Sequence, residues 1–439
     1  MRFPSFLLLS ICVLFLPTTN SAQTILTKAE AIKTTLANNY DIKVAQNNIA
    51  IAKNNTSREL NGYIPVVNAN AGLNASLGGS KQKFSTGQEN TTKNAFNWGN
   101  NASISANYNL IDRTREAVVD QLEAVANLSD LQLRQTIENN LLTVFNNYYE
   151  VGRLSQNTAV LEKTIEVSRQ RLQRAQYRYD YGQGVRLDVL NAEVDIQRDT
   201  VNLLNLKNQL SIAKRNLNVA MGTTINTDFS VDTLINYQQN LSLEQLLSDA
   251  KSNNILVQLV NQNLAVSKYD FDIIDATRKP ILGANANYNF NFSDNATGSF
   301  IDISNSRGFA AGLTLSWNLY DGGRRQKQAE NAQLNIETQQ VQKEQILQQI
   351  EGDLINAWET YQNALFILQT EEKNLSINQL NFERTAEQFK VGQVNSVEFR
   401  QAQLNLLTAT TNLNAAKYDA KAIEIVLLQL SGRLMDGLE

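Results

Sequence analysis

The stretch Leu282-Gly-Ala-Asn-Ala-Asn-Tyr-Asn-Phe-Asn-Phe292 changes character at every residue. Leu282, Ala284, Ala286, Tyr288, Phe290 and Phe292 are apolar, and the residues between them are Gly283 and a run of asparagines. A strand turns successive side chains to opposite faces. Strict period two over about ten residues therefore predicts a strand with one apolar and one polar side. Three more segments follow the same rule. Odd positions from Val67 to Leu77 are apolar, with Asn68, Asn70, Gly72, Asn74 and Ser76 between them. Ala102, Ile104, Ala106, Tyr108 and Leu110 alternate with Ser103, Ser105, Asn107 and Asn109. Phe309, Ala311, Leu313, Leu315, Trp317 and Leu319 alternate with Gly312, Thr314, Ser316 and Asn318. The polar sides are nearly uncharged. Strands of this length, apolar outside and polar inside, fit a membrane β-barrel; the alternative is the edge of a soluble β-sandwich. Segments 78–100 and 293–308, rich in Gly, Ser, Asn and Thr, are expected as external loops. Four strands cannot close a barrel, and lipid does not tolerate open edges, so several chains must contribute. Two chains would give eight strands and three would give twelve; the pattern does not choose.

Outward from the strands, the chain repeats itself. Leu26–Ala31 recurs at Leu241–Leu246, Asn38-Asn39 at Asn253-Asn254, and Pro65–Ala71 at Pro280–Ala286, each displaced by 215 residues. Gly182, Asp188, Ala192 and Gly222 recur as Gly392, Glu398, Ala402 and Gly432, displaced by 210. Two copies of one unit are the economical reading. Proline supports it. Pro4 and Pro17 lie near the N-terminus, while Pro65 and Pro280 are repeat-equivalent and each ends a helical stretch and opens a strand.

Residues 113–181 and 322–391 contain no proline and are rich in Gln, Glu, Leu, Ala and Asn. Leu347, Ile350, Leu354, Ala357, Tyr361, Ala364 and Leu368 step by three and four, a heptad stripe that predicts coiled-coil packing. Such helices would be roughly 100 Å long. Gly182 and Gly392 punctuate them, and returning helices follow. Each copy thus carries a long helical hairpin with its tip at Gly182–Leu187 or Gly392–Val397. Shorter helical pairs, Leu26–Gly62 and Leu241–Lys279, precede the strands. The expected fold is an α+β membrane protein made of a duplicated helix–strand–strand–long hairpin unit, with four barrel strands per chain. Its expected divisions are a leader at 1–22, a first repeat at 23–222, a linker at 223–240 and a second repeat at 241–439.

The leader is read from Met1 and Arg2, the apolar run Phe6–Leu16 and the small residues up to Ala22. The run is too short to span a bilayer as a helix, and no later stretch of about 18 apolar residues occurs. Cys12 lies inside it and reads as an ordinary apolar position. The 439 residues carry 39 basic and 43 acidic side chains, no histidine and one cysteine. No basic surplus points to nucleic acid. A Ser/His/Asp triad and a Cys/His pair are both excluded, and most metal chemistry loses its usual ligands. No enzyme constellation and no cofactor site emerge.

The stretch Trp317-Asn-Leu-Tyr-Asp-Gly-Gly-Arg324 resembles the strand-to-helix signature of the TolC family of outer-membrane efflux proteins, here carried by Trp317, Asp321, Gly322, Gly323 and Arg324. Tyr181–Ala192 and Val391–Ala402 resemble that family's periplasmic tips, and the order of elements is the same. The resemblance implies a homotrimer with a twelve-stranded barrel in outer-membrane lipid and a helical tunnel across the periplasm. It implies a passive exit duct of a tripartite efflux pump or type I secretion system. Its partners would be a periplasmic adaptor (membrane fusion) protein and an inner-membrane RND, ABC or MFS transporter, with no catalysis and no cofactor. Gly182, Gly184 and Gly392 would form the adaptor-docking tips. Glu398 would lie at the periplasmic constriction, where three carboxylates around one axis favour cations. Gln401 stands where the family often has a second acid. Asp188 with Arg186 is the first-copy counterpart. The plainer reading of each acid is a helix N-terminal charge set against the helix dipole. Arg113, Arg115 and Arg325 join Arg324 where barrel would meet tunnel. A periplasmic adaptor or structural coiled coil also has long hairpins, but one hairpin and compact β-domains are expected there.

Overall fold

A computed structural model describes residues 25–238, 240–295 and 301–435. The leader expected at 1–22 lies outside them. In chain order the elements are β1 (Ile25–Leu26), α1 (Lys28–Asn38), α2 (Tyr40–Asn55), β2 (Val66–Lys83), β3 (Glu89–Ile111), α3 (Arg113–Asp180) and α4 (Arg186–Met221). There follow β4 (Ser230–Val231), α5 (Leu243–Asn253), α6 (Ile255–Ala276), β5 (Ile281–Asp294), β6 (Ile303–Ser316), α7 (Arg324–Lys390) and α8 (Ser396–Leu430). The alternation of helix pair, strand pair and long hairpin occurs twice, as the internal repeat requires.

The strands of both copies form one antiparallel sheet in the order β2-β3-β5-β6. Pro65 and Pro280 directly precede β2 and β5. The register brings like faces into rows: Ala69, Ile104, Tyr288 and Phe309 on one side, Asn70, Ser103, Asn289 and Gly308 on the other. Among the described residues the apolar side is uncovered, with Leu73 at 81% exposure and Phe309 at 71%. No helix of the described residues is long and apolar enough to cross a membrane.

Three expectations for the sheet are corrected. Segment 78–100 is not a loop: β2 continues to Lys83, β3 starts at Glu89, and only 84–88 turn. Hairpin hydrogen bonds from Phe84 N to Gln88 O (2.8 Å) and from Gly87 N to Phe84 O (2.9 Å) close that turn. Thr91, Thr92, Phe96 and Trp98 are good strand formers, and Lys81 and Lys83 pair with Glu89 across the strands. Likewise Ser293, Asp294 and 303–308 belong to strands rather than to a loop at 293–308. Conversely, Trp317 and Leu319 are not in β6, which ends at Ser316 opposite Ile281. Its partner strand begins there, directly after Pro280, which has no N–H to offer. The ladder ends although the apolar alternation goes on.

The chain divides into two compact units that do not follow its linear order. One comprises Met1–Asn39, Leu141–Tyr237 and Asn363–Ala422. Its core is the coiled-coil stripe: Leu141, Val144, Val151 and Leu217 are fully buried, and Leu368, Leu413 and Ala416 cluster with Leu375 and Tyr237. The segment expected as a linker is strapped to this core. β4 pairs in parallel with β1. Tyr148 Oη donates to Leu26 O (3.0 Å) and accepts from Asp232 N (3.1 Å). Burial pushes the Tyr148 hydroxyl up to about 12, so it stays protonated throughout the physiological range. Tyr237 Oη donates to Lys417 O (2.8 Å) and Lys421 Nζ to Asn236 O (2.6 Å).

The other unit comprises Tyr40–Asn140, Gln238–Gln362 and Ile423–Glu439 and holds the sheet. Ala250, Val257 and Ile350 pack together in it, with Ile346 and Leu347 against them. Leu354 and Leu427 are fully buried.

In both copies the Asn-Asn pair sits at an elbow between two short helices and docks on the end of a returning helix. Asn39 Nδ2 donates to Ala220 O (2.9 Å), and Asn254 Nδ2 to Leu430 O (2.7 Å). The helix carbonyls left without intrahelical partners are thereby satisfied. Gly222 and Gly432, both left-handed, end those helices beneath the elbows.

Candidate functional site

The hairpin tips are built alike on one side and differently on the other. Both long helices end in a Schellman turn on a left-handed glycine. At the first tip Gly182 has φ 68°, Gln183 N donates to Arg178 O (2.7 Å) and Gly182 N to Tyr179 O (3.0 Å). At the second Gly392 has φ 75°, Gln393 N donates to Gln388 O (2.9 Å) and Gly392 N to Phe389 O (3.3 Å). Gly184 is packed close: a Cβ there would sit 3.0 Å from Arg178 Cβ.

The returning helices start unequally. In α8, Asn395 Oδ1 accepts from Val397 N (3.0 Å) and Glu398 N (2.9 Å), while Glu398 Oε2 accepts from Asn395 N (3.0 Å). This reciprocal pair is a capping box. In α4 the corresponding cap is Val185, which makes no side-chain cap bond. Asp188 there is half-buried, and Arg186 is exposed. Two positions apart on a helix, these two side chains do not face each other. Gln401 donates to Asn405 Oδ1 (2.8 Å) and is exposed. In the first turn of α8, Phe399 is buried against Phe382 (5.5 Å) and Phe389 (4.7 Å) of α7. The exposed residues at the two tips include Val185, Leu187, Val391 and Val397.

Removing the cap by Asn395→Ala should cost about 1 kcal/mol of local stability and speed proteolysis at the second tip. Glu398→Gln should leave cleavage unchanged, because Gln also serves at that position of a capping box.

A buried polar cluster in the same compact unit went unread in the sequence. Arg400 of α8 grips Asp199 of α4 with both guanidinium arms, Nη1 to Oδ2 at 2.8 Å and Nη2 to Oδ1 at 2.6 Å. Its Nε lies 3.6 Å from Asp195 Oδ2, which Arg171 Nη2 of α3 also engages. Gln403 accepts from Arg400 Nη1 (3.0 Å) and donates to Thr164 O (2.9 Å). Arg400, Asp199, Arg171, Ser168 and Gln403 are all buried. The cluster ties α8 of the second copy to α3 and α4 of the first. The repeat does not share it: at the 210-residue offset Arg400 corresponds to Leu190, and Asp199 to Ala409. A partial signal was present. Asp195 and Asp199, and likewise Arg400 and Gln403, are spaced to share a helix face.

At the end of β6, Asp321 accepts from Arg325 N (3.0 Å) and Arg325 Nε (2.9 Å). Arg325 also donates to Thr277 O (3.2 Å) and Asn318 O (3.1 Å), and Trp317 Nε1 to Arg278 O (3.0 Å). Gly322 and Gly323, at φ 74° and 83°, let the chain reverse into α7, where Arg324 is the first residue. The first copy is fastened differently: Arg115 Nη1 donates to Gly62 O (2.7 Å) and Asn109 O (3.0 Å) and lies over Tyr63. Arg113 pairs with Glu116. Arg113, Arg115 and Arg325 therefore bind their own chain.

Burial works to raise the Asp321 carboxyl, but the hydrogen bonds and charge of Arg325 outweigh it and hold it below the ordinary value. A depressed carboxyl contributes stability above its unfolded pKa and loses it as pH falls through the folded one. Acidification below about pH 4 should therefore loosen this junction. Trp317 fluorescence in a Trp98→Phe, Trp358→Phe background should report the change, and Asp321→Asn should abolish that component.

The class defined by these features is a duplicated strand-and-hairpin protein, with a sheet apolar on one face and two unequal helical tips. The chain belongs to the outer membrane efflux protein family, whose model matches residues 31–223 and 246–433. It is 21% identical over 302 residues to the outer membrane efflux protein BepC of Brucella suis, covering 69% of this chain and 65%, just under two thirds, of that one. It is 23% identical over 340 residues to the outer membrane protein TolC of Vibrio cholerae, covering 76% and 77%. The solved CmeC outer membrane channel of Campylobacter jejuni shares the fold at a TM-score of 0.72 and 13% identity, covering 93% of this chain and 86% of that one.

Proposed function

We propose that three copies of this chain close a twelve-stranded barrel in the outer membrane and form the exit duct of a tripartite efflux pump or type I secretion system. One observation carries the reading: a four-stranded sheet whose apolar face is bare and whose edges, β2 and β6, are unpaired among the described residues. Lipid admits no such edge, so β6 of one copy must meet β2 of the next. Those strands run antiparallel when the order repeats, as closure requires. The long hairpins then form the periplasmic tunnel, and residues 1–22 act as the leader that sends the two repeats, 23–222 and 241–439, joined by 223–240, to the envelope. The duct itself catalyses nothing and holds no cofactor.

The tips Gly182, Gly184 and Gly392, with the exposed Val185, Leu187, Val391 and Val397, are the surfaces for a periplasmic adaptor, behind which an inner-membrane transporter supplies the energy. Glu398 of the three copies forms the narrow ring, with Asp188, Arg186 and Gln401 around it. Fractionation with crosslinking tests the assembly: an outer-membrane trimer is expected, and a soluble periplasmic monomer would refute it. Glu398→Gln separates cap from charge. In a planar bilayer it should weaken cation block while the tip stays folded; unchanged block removes Glu398 from the constriction.

A further inference from the structure

The polar face of the sheet is unusual in what it lacks. The charged residues of the four strands are Lys81, Lys83, Glu89, Lys93, Asp294 and Arg307. By register, Lys81, Lys83, Glu89, Asp294 and Arg307 stand on the same side as Leu73, Ile104 and Phe309. Lys93 falls in the irregularity beside Gly79, toward the hairpin end. From Asn109 out to Gly78 the polar side consists of Asn, Ser, Thr and Gly, with Val66, Ala95 and Ala310 as uncharged exceptions.

Five of its six glycines face an asparagine, and the sixth, Gly78, pairs with Ala95. Gly72 pairs with Asn101, Gly99 with Asn74, Gly283 with Asn109, Gly308 with Asn289 and Gly312 with Asn285. At three of them an asparagine carboxamide leans over the gap. A Cβ on Gly72 would come within 2.8 Å of Asn101 Oδ1, one on Gly312 within 3.3 Å of Asn285 Oδ1, and one on Gly283 within 3.4 Å of Asn109 Oδ1. Asn74 Nδ2 donates to Asn101 Oδ1 at 3.3 Å, linking neighbouring amides. Each carboxamide offers two donors and an acceptor without net charge.

We infer that this Asn–Gly lattice makes the inner wall of the barrel charge-indifferent: it hydrates polar cargo of either sign and gives the outer-membrane passage no preference between them. The inference rests on the duct reading above, which makes this face the lumen. Selectivity in pores follows rings of charged side chains, and this wall has none. Amide dipoles oriented across one another produce fields that die away before the axis, whereas a lumen lined with one sign concentrates counter-ions about tenfold or more. Any charge selection then belongs to the helical hairpins.

The test labels a cysteine on the wall from the outside of intact cells. Cys12, the only native cysteine, is changed to Ala. Ser103→Cys is reacted with anionic sulfonatoethyl and cationic trimethylammonioethyl methanethiosulfonate, each rate normalised to a small free thiol. The cation-to-anion ratio should lie within about twofold of one and be unmoved by salt, because no fixed charge is there to be screened. A ratio beyond about fivefold in either direction that collapses in salt overturns the inference. Asn289→Asp, on the register partner of Ser103, should raise the ratio severalfold. If it does not, the wall does not enclose a confined lumen and the inference fails. Ile104→Cys, on the opposite face, should react slowly with both reagents. Equal labelling of Ile104→Cys and Ser103→Cys would instead refute the duct itself.

Discussion

Arg400→Leu should lower the stability of the tip-bearing compact unit by about 3–5 kcal/mol, because it strands a carboxylate in the interior. Asp199 is 2% exposed, and its two oxygens face the two arms of Arg400. Asp195 loses one of its three cations, while Arg171 and Arg198 still reach it. Arg400→Lys keeps the charge but not the fork, so it should recover only part of the loss. The double variant Arg400→Leu, Asp199→Leu should be much closer to the parent than Arg400→Leu alone, since no buried charge is left unpaired. Thermal unfolding in detergent and limited proteolysis of the hairpins measure this cycle. Additive losses in the double variant would show that the pair is not the coupled unit its geometry describes. The cluster joins elements of the two copies, so the single variant should also free α8 from the first hairpin without touching the sheet.

Gly432→Ala should cost a similar amount, about 3–5 kcal/mol, for a different reason. Gly432 has φ 75°, and a Cβ there would fall 2.4 Å from the carbonyl carbon and oxygen of Asn253. Both atoms are backbone, so no side chain can swing away. The left-handed conformation alone costs an L-residue about 1–2 kcal/mol, and the forced shift of the elbow adds the rest. Gly222→Ala should behave alike, with φ 69° and a Cβ 2.6 Å from Asn38 O. By contrast Gly392→Ala meets open space and should show only the conformational cost. A Tm comparison of Gly432→Ala with Gly392→Ala isolates the packing share, and equal losses would contradict it.

These glycines mark how far the sequence could be read. Gly222 and Gly432 emerged as repeat landmarks, and so did the Asn-Asn pairs, but only the fold shows that one docks beneath the other. The long helices were legible nearly to the residue, because three-four spacing repeats many times and errors average out. Strand ends were not. Polar hairpin residues such as Thr91 and Asn97 look like a loop because composition records the solvent, not the hydrogen-bond partner. Trp317 and Leu319 look like strand because alternation persists after the ladder has run out. Glu398 was recognised as a tip acid, yet its bond to Asn395 N depends on local backbone geometry.

What the sequence determined by itself is periodic: period two for the sheet faces, three-four for the hairpins, and a repeat that predicts each element twice. Periodicity is a property of one element against its surroundings, so a single chain can record it. What the tertiary structure alone decided is pairwise. It joined the strands of both copies into one sheet, placed five glycines of the polar wall opposite asparagines, and brought Arg400 to Asp199 across 201 residues of chain. Such pairings depend on register and on helix-to-helix contact, and neither is written into the spacing of either partner.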